Sequence, residues 1–267
     1  MRAMPELRTL TLMERADGVA QVTMCRPQVS NAFDETMIGE LDEVFAQVSQ
    51  DPAVRVVVLA GAGRNFSAGA DLAWMQRASS ASHEWNLEDA RRFASMLARI
   101  AACPKPTLAR VQGAALGGGL GLACACDIAI AAQDAFFSAS EVRFGILPAV
   151  IGPYLVNAVG RRQAVRMALT AMRLEAVEAQ ELGIVHVVCQ PEELDRGVDA
   201  AVVELLGGGP QAQREVKALF ARLAPGPVDA EVRELTARTI SRVRGSDEAR
   251  EGFAAFLGKR PARWTAR

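Results

Sequence analysis

An α/β fold with a largely parallel sheet is what this chain predicts, on three observations. Continuous apolar runs at Val54–Ala60, Thr107–Val111 and Ile128–Ala131 read as strands, and the first is as unbroken as a strand buried on both faces. Segments with apolar residues at helical spacing alternate with them. Beyond Pro153 helix-like runs take over, so the last third reads as a helical appendage.

Taken in order, Thr9–Met13 and Val19–Met24 are two short strands joined by a turn at Asp17-Gly18. Asp34 to about Gln50 is a helix. Phe33, Met37, Leu41, Val44, Phe45 and Val48 recur at its period, and Asp34 caps its start. Leu87–Ala101 is another, with Phe93, Met96, Leu97 and Ile100 on one stripe. Six further helical runs follow: Arg161–Ala171, Leu174–Leu182, Glu192–Leu206, Gln211–Leu223, Asp229–Val243 and Asp247–Leu257. Gly183, Gly207-Gly-Gly-Pro210 and Pro225-Gly-Pro227 break them. The expected division is a core over 1–200 and a helical region over 201–267.

Composition narrows the function. A chain of 267 residues buries roughly 75% of its unfolded surface, enough for one sizeable core. Half the residues are apolar, 23% are charged and the net charge is -1. That balance argues against nucleic acid or an anionic membrane as partner, but leaves room for a small anion on a local basic patch. The five cysteines are odd in number and form no C-x-x-C pair, so buried free thiols are expected. The opening Met-Arg-Ala-Met-Pro precedes no apolar h-region, so no leader is expected and the cytoplasm is the default location. Only His83 and His186 are present, and neither sits in a cluster suited to zinc, so no metal is expected.

Two glycine-studded segments carry the chemistry: Gly61-Ala-Gly-Arg-Asn-Phe-Ser-Ala-Gly-Ala-Asp-Leu72 and Gln112-Gly-Ala-Ala-Leu-Gly-Gly-Gly-Leu-Gly-Leu122. Each follows a strand-like run and leads into a helix-like one. Such junctions leave backbone N–H groups without intrahelical partners. Small residues let another molecule approach them. Two such turns side by side can aim two donors at one oxygen, as an oxyanion hole requires. Neither segment is a P-loop or a dinucleotide fingerprint. The plain alternatives are that Gly117-Gly-Gly119 only permits close packing and that Asp71 only caps a helix.

Glu141, in Phe136-Phe-Ser-Ala-Ser-Glu-Val-Arg-Phe-Gly-Ile-Leu-Pro148, is a carboxylate among apolar neighbours and hence a candidate general base. Ser138-x-x-Glu141 equally fits a helix capping box. Both readings stand on this segment alone.

Taken together, Arg26-Pro-Gln-Val-Ser-Asn-Ala-Phe33, Phe66-Ser-Ala-Gly-Ala-Asp-Leu72, Gln112-Gly-Ala-Ala-Leu-Gly-Gly-Gly119, Cys126-Asp-Ile128 and Ser140-Glu-Val-Arg-Phe-Gly-Ile-Leu-Pro148 resemble the crotonase, or enoyl-CoA hydratase/isomerase, family over nearly the whole chain. The resemblance implies a ββα spiral core with a C-terminal helical trimerisation region, often a dimer of trimers. It implies an acyl-CoA substrate that brings its own coenzyme A, no separate cofactor, and stabilisation of a thioester enolate. Carried over by position, Ala70 and Gly118 are the amide donors and Glu141 is the catalytic carboxylate. Arg26, Ser67, Ala68, Asp71 and Leu72 line the CoA cleft, and Lys259 in Lys259-Arg260 approaches a CoA phosphate.

One departure matters. Hydratases with two glutamates carry one of them two residues after Gly-Gly-Gly, where this chain has Gly121. That leaves space and removes a negative charge. Phe66–Met75, Gly121, Ser140-Glu-Val-Arg143 and Pro148-Ala-Val-Ile151 look most like bacterial methylglutaconyl-CoA and isohexenylglutaconyl-CoA hydratases. That likeness implies an acyl group with a second carboxylate, for which Arg143 or Arg77 is the candidate partner. Trp74 and Met75 are candidates for the acyl pocket. A Δ3–Δ2 enoyl-CoA isomerase and a non-catalytic acyl-CoA-binding subunit remain alternatives.

Overall fold

The computed structural model describes residues 7–265. The opening pentapeptide read above for a leader lies outside them. Six strands form the main sheet: β1 (Leu10–Glu14), β2 (Val19–Met24), β3 (Val56–Gly61), β4 (Thr107–Val111), β6 (Ile128–Ala132) and β9 (Val187–Cys189). They lie in that order, with β1 antiparallel to β2 and every other pair parallel. β3 is buried along its full length, as its uniform apolar run requires. A second sheet of β5 (Ala114–Leu116), β7 (Phe136–Ser138) and β8 (Leu174–Glu175) stands beside it.

Helices α1 (Glu35–Gln50), α2 (Leu72–Ser80), α3 (His83–Ala101) and α4 (Gly118–Ala125) surround the principal core. Phe33, Phe45, Phe66 and Phe137 are fully buried there. α1 starts where Asp34 accepts hydrogen bonds from the amides of Thr36 and Met37. α3 begins four residues before the expected start, because Ser82 caps it through the amide of Trp85. α5 (Gly152–Thr170) and α6 (Ala176–Leu182) follow, and α5 kinks at Gly160, whose φ is 72°.

The division at residue 200 is corrected. It falls inside α7 (Leu194–Gly207), whose Leu194, Val198 and Val202 pack against Val56, Val58, Leu108 and Ile130 on the second face of the main sheet. The helices beyond the core are α8 (Pro210–Phe220), α9 (Ala230–Arg244) and α10 (Asp247–Leu257). No described helix is long and apolar enough to cross a membrane.

Candidate active site

The two glycine segments meet because hydrogen bonds zip the stretch after β3 onto β5. Ser67 N–H donates to the Ala114 carbonyl at 2.9 Å, and Leu116 N–H donates to the Ser67 carbonyl at 3.0 Å. On its other side this stretch is held by the loop before α1. Ala68 N–H donates to Ser30, Phe33 N–H to Gly69 and Asp71 N–H to Phe33. Asn31, fully buried with φ 52°, ties the same loop to the carbonyls of Ala62 and Asn65. This double clamp uses the amides on either side of Ala70. Among the described residues neither the Ala70 nor the Gly118 amide donates a hydrogen bond. Gly69 (φ +85°) lets the turns touch: a Cβ there would sit 3.2 Å from the Gly118 nitrogen.

Glu141 comes to the same place from a short 3-10 turn over Glu141–Phe144. A Cβ on Gly117 would lie 3.3 Å from Glu141 Oε1, so the carboxylate packs over the start of α4. Its Oε2 is buried and has no hydrogen-bond partner among the described residues. Burial pushes the Glu141 pKa up, against a smaller lowering by its own backbone amide. An orphaned carboxylate oxygen beside two unengaged amides is what a catalytic base needs and what a helix cap would not leave.

Two cavities meet at these groups. A cleft of about 750 Å³ is lined by Ala68, Ala70, Asp71, Leu72, Gly117, Gly118, Ser140, Glu141 and Phe144, among others. A second, of about 250 Å³, shares Ala70, Met75, Gly118, Glu141 and Ile146 and runs inward between α2 and α3. Its wall is an aromatic cluster: Phe33 lies 5.2 Å from Phe93 and 6.2 Å from Trp74, centroid to centroid.

The structure thus gathers Ala70, Gly118, Glu141, Ala68, Asp71, Leu72 and Trp74 around these two cavities. Other placements correct the sequence reading. Arg26 does not line either cavity. Its guanidinium donates to the Ala32 carbonyl and pairs with Asp34 at 3.2 Å and Asp71 at 3.0 Å, bracing the caps of α1 and α2. Ser67 is fully buried, donating to the Asn31 carbonyl and accepting from the Gly69 amide. Lys259 follows α10 and lines neither cavity. Arg260 pairs with Glu251, Trp264 bonds to Gly207, and Arg55 at the amino end of β3 reaches the Trp264 carbonyl. The cleft opens at the carboxyl ends of β2 and β3.

Arg143 is exposed and donates to the Ala171 carbonyl, while Arg77 holds Glu35 at 2.7 Å. Neither reaches the acyl cavity. Gly121 does not leave space, because a Cβ there would come within 2.3 Å of Ile151 Cγ2. The capping box fails too: Ser138 belongs to β7, and its hydroxyl donates to the Ala171 carbonyl.

Two predictions follow from these placements. Arg26→Ala is expected to lose about 1–3 kcal/mol by leaving partly buried carboxylates unpaired, read as a lower Tm at neutral pH. Burial alone would raise the Asp71 pKa, but the Trp74 and Ala73 amides and Arg26 hold it below 3.8. A depressed carboxylate contributes stability above its unfolded value, so the gap between wild type and variant narrows as pH falls through that lowered value. Gly121→Glu is expected to cost about 1–3 kcal/mol by overpacking against Ile151, with no gain in hydration rate, checked by thermal melts and kcat.

The sequence gives no individual site role to Asn86, Asp89 and Ile151, all of which line the acyl cavity. A signal for two of them was present. Asn86 and Asp89 continue, at spacings of three and four, the apolar stripe through Phe93, Met96, Leu97 and Ile100. Polar residues on the buried face of an amphipathic helix are unusual and mark a cavity.

Comparison with known proteins agrees with this geometry. The profile of the enoyl-CoA hydratase/isomerase family matches residues 14–267. A crotonyl-CoA hydratase of Syntrophomonas wolfei is 33% identical over 262 residues, covering 96% of this chain and 98% of its own length. The crystal structure of an enoyl-CoA hydratase from Shewanella pealeana superposes with a TM-score of 0.93 at 41% identity, covering 97% of each chain. Pseudomonas aeruginosa AtuE superposes with a TM-score of 0.92 at 39% identity, covering 97% of this chain and 100% of its own. The crotonase-type architecture expected from the motifs is the one observed, and the chain belongs to the enoyl-CoA hydratase/isomerase family.

Proposed function

We propose that this chain hydrates an α,β-unsaturated acyl-CoA by a one-carboxylate mechanism, on a glutaconyl-type acyl group. The observation that carries the mechanism is the meeting of the Ala70 and Gly118 amides with the orphaned Glu141 oxygen where the two cavities join. The thioester oxygen accepts hydrogen bonds from both amides. Charge builds on it as the enolate forms, so donors fixed beforehand act most strongly in the transition state. One such donor is worth about 3 kcal/mol. Glu141 takes a proton from the water that attacks Cβ. With Ile151 filling the position beside Gly121, the same carboxyl returns that proton to Cα, and water adds to one face. The reaction needs no cofactor beyond the coenzyme A of its substrate.

The larger cleft suits the CoA portion and the smaller cavity the acyl portion. The glutaconyl class is supported by the motif likeness and by polar groups at the α3 side of the acyl cavity. The test is product identification after separate incubation with 3-methylglutaconyl-CoA, crotonyl-CoA and an unconjugated 3-enoyl-CoA. Loss of conjugated absorbance with a 3-hydroxyacyl product supports hydration. Conversion of unconjugated to conjugated thioester makes the chain an isomerase, and tight binding without turnover makes it a binder.

A homotrimer or a dimer of trimers belongs to the same reading. Phe220 on α8 and Phe253, Phe256 and Leu257 on α10 are exposed apolar residues of the kind an interface covers. Light scattering is expected to give three or six times 28.5 kDa. Five cysteines free of disulfides suit a cytoplasmic setting.

A further inference from the structure

Beyond Glu141, where it joins the larger cleft, the acyl cavity is apolar except at one end. There Trp74 on α2 and Asn86 and Asp89 on α3 line it together. Trp74 is 7% exposed and Asp89 9% exposed. The Trp74 indole N–H is buried without a hydrogen bond of normal length. It acts on the Asp89 carboxyl, favouring its charged form, yet no ion pair or other hydrogen bond anchors that carboxyl among the described residues. Asn86 spends one amide hydrogen on the Ala78 carbonyl at 3.0 Å and keeps a second. Polar groups left so incompletely matched in a core are costly, and a ligand group that completes them recovers that cost.

We propose that Trp74, Asn86 and Asp89 form a subsite for the distal carboxylate of the acyl group, with the Asp89 carboxylic acid donating a hydrogen bond to it. This rests on the glutaconyl reading above and replaces Arg77 and Arg143 as the recognition element. Among the described residues no arginine or lysine lines the cavity, so recognition works through neutral donors and a shared proton rather than an ion pair. The surroundings move Asp89 in the direction of holding a proton. Burial raises its proton affinity and Glu35 on α1 adds to that, while Trp74, Arg92 on α3 and Arg77 on α2 oppose it without prevailing. Among the described residues Glu141 is the other titratable group on this cavity. Two carboxyls brought together hold one proton between them, which a methyl-terminated chain cannot use.

Binding of glutaryl-CoA and valeryl-CoA to the full chain, followed by calorimetry, tests this. These saturated thioesters have acyl chains of equal length, ending in a carboxylate and a methyl group respectively. Wild type is expected to prefer glutaryl-CoA by about tenfold or more at acidic pH, with the preference shrinking as pH rises and the shared proton leaves. Asp89→Asn is expected to keep a preference that no longer depends on pH, because an amide donates throughout. Asp89→Leu is expected to reverse it. Equal weakening of both ligands in Asp89→Leu, or a wild-type preference indifferent to pH, overturns the proposal. Turnover is read separately. A preference for glutaryl-CoA without hydration of 3-methylglutaconyl-CoA keeps the subsite and overturns the substrate reading. Hydration of that substrate without the preference does the reverse.

Discussion

Glu141→Gln is expected to lower kcat for hydration by about 10²–10⁴-fold, the usual contribution of a positioned acid–base group. The amide keeps the shape of the side chain over Gly117 but cannot take a proton from water. KM is expected to move little, because the two amides and both cavities are left in place. Wild-type kcat/KM is expected to rise with pH through a single ionisation above 4.5, the direction in which burial moves Glu141. The same variant is expected to be more stable than wild type at neutral pH. The folded-state pKa of Glu141 lies above its unfolded value, so ionising it in place opposes folding. That penalty is absent below 4.5 and grows as pH rises through the folded value. A Tm difference present near neutrality and absent in acid checks this. A variant with wild-type kcat would remove Glu141 from the chemistry.

Gly69→Ala is expected to cost about 10²–10³-fold in kcat, the loss seen when one oxyanion donor is displaced. Its φ of +85° disfavours any side chain, and the added Cβ would meet the Leu116 carbonyl oxygen at 2.6 Å. Backbone atoms cannot swing aside as a side chain can, so the turns carrying Ala70 and Gly118 must separate. Stability is expected to fall by about 1–3 kcal/mol as well. Gly160→Ala separates the two effects. Gly160 also has positive φ, 72°, but a Cβ there meets nothing within 4 Å, and it lies in the α5 kink away from the cleft. That variant is expected to lose stability while kcat holds. Equal kcat loss in both variants would make the Gly69 effect one of general destabilisation.

The structure shows where the local pattern was a sound guide. The strand core of β3, the Asp34 and Asp71 caps and the glycine turns all behave as their neighbours in sequence require. The caps also show the limit of such a reading. Asp71 both caps α2 and lines the cleft, a double role that its position in a turn does not announce. The family resemblance of the Arg26–Phe33 segment implied that Arg26 lines the CoA cleft. Its partners are two capping carboxylates, one of them 45 residues further along the chain.

By itself, the amino-acid order determined the long main-sheet strands, most of the helices and where backbone amides are left over, but not the short strands β5, β7 and β8. Those outcomes depend on side-chain periodicity, on caps and on glycine, all of which act within one or two turns of chain. Tertiary structure alone decided that Ile151 fills the position beside Gly121, that Lys259 lines neither cavity and that Asp89 lines the acyl cavity. Each is a meeting of elements far apart in the chain, fixed by sheet order and by the rotation of one helix against another.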